Sequence, residues 1–140
     1  MPRHAAVLEL PASRDRVWEL LRDPASLTRW WPGIKTIDAH GRGLVPGARW
    51  HVRGPDRPRL MRAPEPTGEL IVLRVETPSL VAWQLTGDRL DVELRLEEAG
   101  PARTEAVLAI EGPPLIGLRR SLPRKALLEL RRLVQDGDEP

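Results

Sequence analysis

Few side chains in this sequence have chemical reach. There are three histidines, His4, His40 and His51, no cysteine and no tyrosine. His40 and Asp38 stand two apart in one extended stretch, and His51 can approach them across a hairpin. A zinc site needs three or four converging ligands. These residues sit at strand ends on a solvated face, so the pattern predicts surface histidines and no metal. His51 alternates with Arg49 and Arg53, which point outward, and that makes it a poor general base. Thiol chemistry is excluded by the lack of cysteine. Gly41, Gly43 and Gly47 join two strands, and a hairpin lacks the helix N-terminus that would hold a phosphate. No nucleophile elbow, zinc-protease helix or dinucleotide fingerprint occurs. Glu69, Gln84 and Thr104 are the polar strand residues able to orient a bound molecule. Alternation places each of them outward, although a one-residue slip would reverse that. With Phe and Tyr both absent, five tryptophans carry all the aromatic weight: Trp18, Trp30, Trp31, Trp50 and Trp83.

The elements that must position these residues are legible in the apolar period. Residues Arg3–Leu10 alternate, with Ala6, Leu8 and Leu10 on one face and Glu9 on the other, as in a strand. Ser13 is placed to cap a helix over 14–22, with Asp15 in its first turn and Val17, Trp18 and Leu21 on one face. Asp23-Pro24 restarts a second short helix that runs to about Trp30 and stops before Pro32-Gly33. From Ile34 the period becomes two, with strands at about 34–40, 47–54, 67–76, 80–86, 89–97 and 103–111 separated by Gly- and Pro-containing turns. Leu90, Val92, Leu94 and Leu96 oppose Asp91, Glu93, Arg95 and Glu97, which gives one buried and one wet face. Ala48, Trp50 and Val52 oppose Arg49, His51 and Arg53 in the same way. In 67–76 both faces are apolar, and a bulge would reconcile them. From about Pro114 to Gln135 the pattern is helical, interrupted at Pro123 by a kink or break with Ser121 or Leu122 as the cap. Residues from Asp136 on are expected to fray.

The totals set the frame. One domain suffices for 140 residues, and at that size folding buries roughly two thirds of the chain's surface. Apolar content of 41% and charge of 30% suit a globular core, and a mean hydropathy of −0.35 predicts no membrane span. No apolar leader is read at Met1-Pro2-Arg3-His4, so a cytoplasmic location is the expectation. The net charge is only +2 although the pI is 9.9, because the basic residues are nearly all arginine; Lys35 and Lys125 are the only lysines. That usage points to a GC-rich genome, and the interspersed acids argue against nucleic acid as a partner. The arginines of the last helix (119, 120, 124, 131 and 132) read as a solvated face. One strand, two short helices, six strands and a long helix imply an α+β fold: a curved seven-stranded antiparallel sheet whose inner face is covered by the final helix.

Val17-Trp18-Glu19-Leu20-Leu21-Arg22-Asp23-Pro24, then Leu27-Thr28-Arg29-Trp30-Trp31-Pro32-Gly33-Ile34, then Gly47-Ala48-Arg49-Trp50 resemble the START-like, Bet v 1-like (SRPBCC) superfamily, in its polyketide cyclase/dehydrase-like branch. The resemblance covers nearly the whole chain as a single domain, 1–140. It implies the helix-grip fold and a deep, mostly apolar pocket between helix and sheet. It places Trp30 and Trp31 near the pocket mouth, Trp50 and Val52 inward on the third strand, and Trp83 inward on the fifth. Val72, Val92, Leu94, Leu118 and Leu122 complete the expected lining. Aromatase/cyclase members place tyrosines and polar groups inside the pocket, whereas here the interior strand positions read Leu, Val and Ala. The function expected is therefore binding of a small hydrophobic ligand (a lipid, polyketide or aromatic metabolite) without a cofactor. The proline-rich stretch 55–66 and residues 115–123 would form the gate. A cyclase/dehydrase-like enzyme using Glu69, His51 or Arg53, and a protein-interaction module presenting Ile71 and Leu73, are the alternatives. Stable membrane insertion is not expected. A homodimer is a candidate assembly.

Overall fold

A computed structural model describes residues 3–54, 68–87, 89–113 and 120–136. Strand β1 (Arg3–Leu10) leads to helix α1 (Arg14–Leu21), a 3-10 turn at Pro24–Ser26 and helix α2 (Leu27–Trp30). Strands β2 (Thr36–Asp38), β3 (Arg49–Arg53), β4 (Gly68–Glu76), β5 (Leu80–Leu85), β6 (Leu90–Gly100) and β7 (Arg103–Glu111) follow, then helix α3 (Leu122–Asp136). The strands form one antiparallel sheet in the order β1-β7-β6-β5-β4-β3-β2. This is the α+β helix-grip arrangement expected from the sequence. No helix among the described residues is long and apolar enough to cross a membrane.

Local chemistry explains the boundaries. The Ser13 side chain accepts from the Arg16 backbone N–H and caps α1, which buries Val17, Trp18 and Leu21. Asp23 accepts from the Ala25 N–H at the head of the next turn, where Pro24 loses no bond by lacking an N–H. Strand β6 alternates as the sequence predicted, with Leu90, Val92, Leu94 and Leu96 buried. The two apolar faces of β4 are reconciled by a register shift between Val72 and Arg74. Leu70 and Val72 stay inward while Leu73 is pushed into solvent, 51% exposed. Gly68 at φ +148 lies where β4 begins; a Cβ there would stand 2.8 Å from the Thr86 hydroxyl, so only glycine fits.

Pro123 does not bend a long helix. It is the second residue of α3, where the missing N–H is no loss, and the Ser121 carbonyl accepts from the Lys125 N–H at 3.0 Å. The helix ends at Asp136, and residues 137–140, expected to fray, lie outside the described residues. Leu115, Leu118, Arg119 and the stretch 55–66 lie outside the described residues. Helix α3 packs on β1, β7 and α2, with Ala126, Leu127, Leu130 and Val134 fully buried.

Thr104 corrects an expectation. It points inward, with no exposure, and its hydroxyl donates to the Ala12 carbonyl at 2.7 Å. The turn after β1 leaves that carbonyl without a sheet partner. The threonine supplies the bond, and so its inward placement is structural.

Candidate functional site

The site grows from the end of α1. Ser26 is buried, and its hydroxyl bonds the Leu20 and Asp23 carbonyls, locking the 3-10 turn onto α1. That fixes where α2 starts and where its last residue, Trp30, points. Trp31 N–H closes on the Leu27 carbonyl at 2.9 Å. Pro32 then forces Trp31 out of helical geometry, to φ −87 and ψ 118. Consecutive residues on a helix diverge. The break lets both indoles turn into one cluster, with Trp30 and Trp31 edge to face at 5.7 Å.

The sheet supplies the other side. Trp83 of β5 stands between Val72 of β4 and Val92 of β6, and Trp50 of β3 lies opposite Leu70. Trp83 meets Trp30 at 6.1 Å and Trp31 at 5.7 Å, both in T-shaped contact. Such contacts add to the area these rings bury. The expected lining residues separate into three groups. Trp30, Trp31, Trp50 and Trp83 form or adjoin the aromatic cluster. Val52, Val72, Val92 and Leu94 are packed core, at most 2% exposed. Leu122 is half-buried at the start of α3 and packs against the core.

Two spaces border the cluster. A cleft of about 640 Å³ opens between the segment 28–35 and α3, with Trp30, Trp31, Ile34 and Leu128 among the residues that line it. The space framed by Trp30, Trp50 and Trp83 with leucines and a valine is only about 20 Å³, so among the described residues the deep pocket expected against the inner face of the sheet is nearly filled by these side chains. Trp30 borders both. The indole Nε1 groups of Trp30, Trp50 and Trp83 are buried without a hydrogen-bond partner.

Arg29, Lys35 and Lys125 line the cleft and are exposed, while its one acid, Glu129, pairs with Arg132 at 3.7 Å. The cleft thus carries three exposed cations and one paired acid, while Trp30, Trp31 and Ile34, each at most 3% exposed, lie largely beneath its surface. This cationic rim was missed in the sequence, although its signal was there: both lysines of the chain stand on it.

The other candidate residues face solvent. His51 and Arg53 are exposed, and Glu69 pairs with Arg49 at 3.6 Å. His40 lies 3.6 Å from Asp38. Among the described residues no three His, Asp or Glu side chains group as metal ligands. The buried polar side chains there are Ser26 and Thr104, both bonded to backbone carbonyls. On the outer face of the sheet a smaller space of about 210 Å³ includes Leu73, Ala82 and Ala109 among charged neighbours.

A seven-stranded antiparallel sheet gripping a C-terminal helix, with two short helices after the first strand, defines the helix-grip class. The sequence matches the family model described as polyketide cyclase/dehydrase and lipid transport over residues 1–135, and the chain belongs to that family. Solved structures with the same fold include XoxI from Bacillus cereus (TM-score 0.74, 15% identity, 100% of both chains covered). The Aha1 dimer from Colwellia psychrerythraea aligns with a TM-score of 0.69 at 15% identity, over 99% of this chain and 100% of that one. DynU16, a putative protein in the dynemicin biosynthetic locus, aligns with a TM-score of 0.66 at 18% identity, over 96% of this chain and 48% of that one. No curated protein matches the sequence.

Proposed function

We propose that the protein binds a small hydrophobic molecule, of the lipid, polyketide or aromatic-metabolite kind, with its body in the cleft between the tryptophan segment and α3. The observation that carries this reading is the cleft itself. Its 640 Å³ falls within the range of small-molecule pockets, and Trp30, Trp31 and Ile34 are among the residues that line it. Affinity comes from apolar area removed from water, and the cationic rim favours a ligand whose solvent end is anionic over one that is cationic. The family's description, which couples cyclase/dehydrase and lipid transport, agrees with an apolar guest.

The enzyme alternative needs an inward acid or base. The three residues that could have supplied it, His51, Arg53 and Glu69, lie toward solvent, which favours binding over chemistry. The homodimer is proposed from a structural neighbour described as a dimer, and light scattering of the purified protein checks it.

The test of ligand binding is native mass spectrometry of the purified protein, with tryptophan fluorescence titrated against palmitate and 1-naphthol. Saturable quenching in roughly the micromolar range is expected, and Trp31→Ala should weaken it about tenfold. A protein that carries no small molecule and shows no quenching has a closed interior, and the reading fails.

A further inference from the structure

An open sheet has two edges, and here they are finished differently. On one side β2 ends the sheet in three residues, Thr36–Asp38, with Lys35 before them and the backbone turning away at His40, φ +52. Short edges flanked by charge resist pairing with another chain. On the other side β1 runs for eight residues, Arg3–Leu10, in unbroken register with β7, and it contains no proline, lysine or bulge. Its backbone groups on the side away from β7 have no strand partner among the described residues. The charges of β1 stand near its ends, at Arg3 and Glu9, and Ala5–Leu8 between them is an apolar run. Val7, on the outer face, is 56% exposed, the most exposed large apolar side chain among the described residues. Ala6 and Leu8 pack on the core from the inner face and are still only half-buried.

The order of residues in β1 says what fits this edge. In an antiparallel pair, directly opposed residues point to the same face of the sheet. Two copies of β1 related by a twofold axis must therefore meet with the axis on a residue. An axis between residues would set every inward side chain opposite an outward one. With the axis on Ala5, Arg3 opposes Val7 and Glu9 falls beyond the described strand. With the axis on Val7, Glu9 opposes Ala5 and Arg3 runs past the strand to Pro11. With the axis on Ala6, Arg3 opposes Glu9 twice, once on each side of the axis. In that register Ala5 opposes Val7 on the outer face, His4 opposes Leu8 on the inner face, and Ala6 meets its own copy. Of the three, only this one pairs both charges.

We propose that two copies of the chain join along β1, antiparallel and centred on Ala6, so that the sheet of one continues into the sheet of the other. This rests on the homodimer reading above and supplies its interface. Main-chain hydrogen bonds along the bare edge provide affinity, and the two Arg3–Glu9 contacts select the register.

Sedimentation velocity of the purified chain over a concentration series reads the assembly, and the parent chain should be dimeric. Val7→Lys puts a like charge on each side of the axis and should leave the chain monomeric at concentrations where the parent is dimeric. Leu73→Lys, the same change at an exposed apolar site on β4, should not. Arg3→Glu and Glu9→Arg should each weaken self-association about tenfold, because two opposite-charge contacts become two like-charge ones. Mixing these two variants brings opposite charges together again and should restore the dimer, a recovery that misfolding of either variant would not produce. Glu9 also lies 3.4 Å from Arg103 of its own chain. The mixture separates the two roles, since Glu9→Arg loses that bridge there as well. A dimer that survives Val7→Lys, or that mixing does not restore, overturns this inference and leaves the homodimer reading standing. A monomer at every concentration defeats the homodimer reading and the inference with it.

Discussion

The two ends of the interior are both deeply buried and built on different rules. Where α3 crosses β1 and β7, the core is aliphatic: Leu10, Leu96, Leu108, Leu127 and Leu130 are at most 1% exposed. The polar group buried there, Thr104, is bonded. Where α2 faces β3, β4 and β5, the core is aromatic, borders a cavity and a cleft, and leaves three indole donors unpaired. The first region spends its burial on stability. The second leaves indole donors unpaired, which is what the proposed binding site would tolerate.

That contrast can be broken by four substitutions, read by denaturant or thermal unfolding. Leu127→Ala, in the aliphatic end, should cost about 2–5 kcal/mol, because a fully packed site collapses poorly around a lost side chain. Thr104→Val should cost about 1–3 kcal/mol, since it leaves the Ala12 carbonyl buried without a donor. Trp50→Phe removes far more surface than Thr104→Val. It should nevertheless cost only about 1 kcal/mol or less, because the lost packing is offset by the removal of an orphan donor. A loss as large as that of Leu127→Ala would mean that the two ends are packed alike. Leu73→Lys, at the exposed bulge, should stay within about 0.5 kcal/mol. A larger drop would show that the outer face of β4 is covered in solution.

Much of this was legible in order and period. The α1 cap at Ser13, the inward rows of β3 and β6, the end of α2 before Pro32 and the irregularity of β4 all follow from local sterics and alternation. These are properties of a few neighbouring residues. Thr104 was misread because the carbonyl it satisfies, Ala12, is 92 residues away, and no local pattern announces such a need. Pro123 was ambiguous for a related reason: a proline that interrupts a helix and one that opens it leave the same apolar spacing around them.

The tryptophans mark the boundary of what a sequence can say. By itself it determined that four of them, Trp30, Trp31, Trp50 and Trp83, lie on inward faces or at the end of a short helix, in a chain with no other aromatic residue. Only the tertiary structure decided that Trp30, Trp31 and Trp83 meet edge to face, that Trp50 stands apart, and that three indole donors are buried without an acceptor. Alternation and capping are short-range and written in adjacent residues. Hydrogen-bond satisfaction in a core depends on which distant segments are brought together, and it exists only once the sheet and helices have closed.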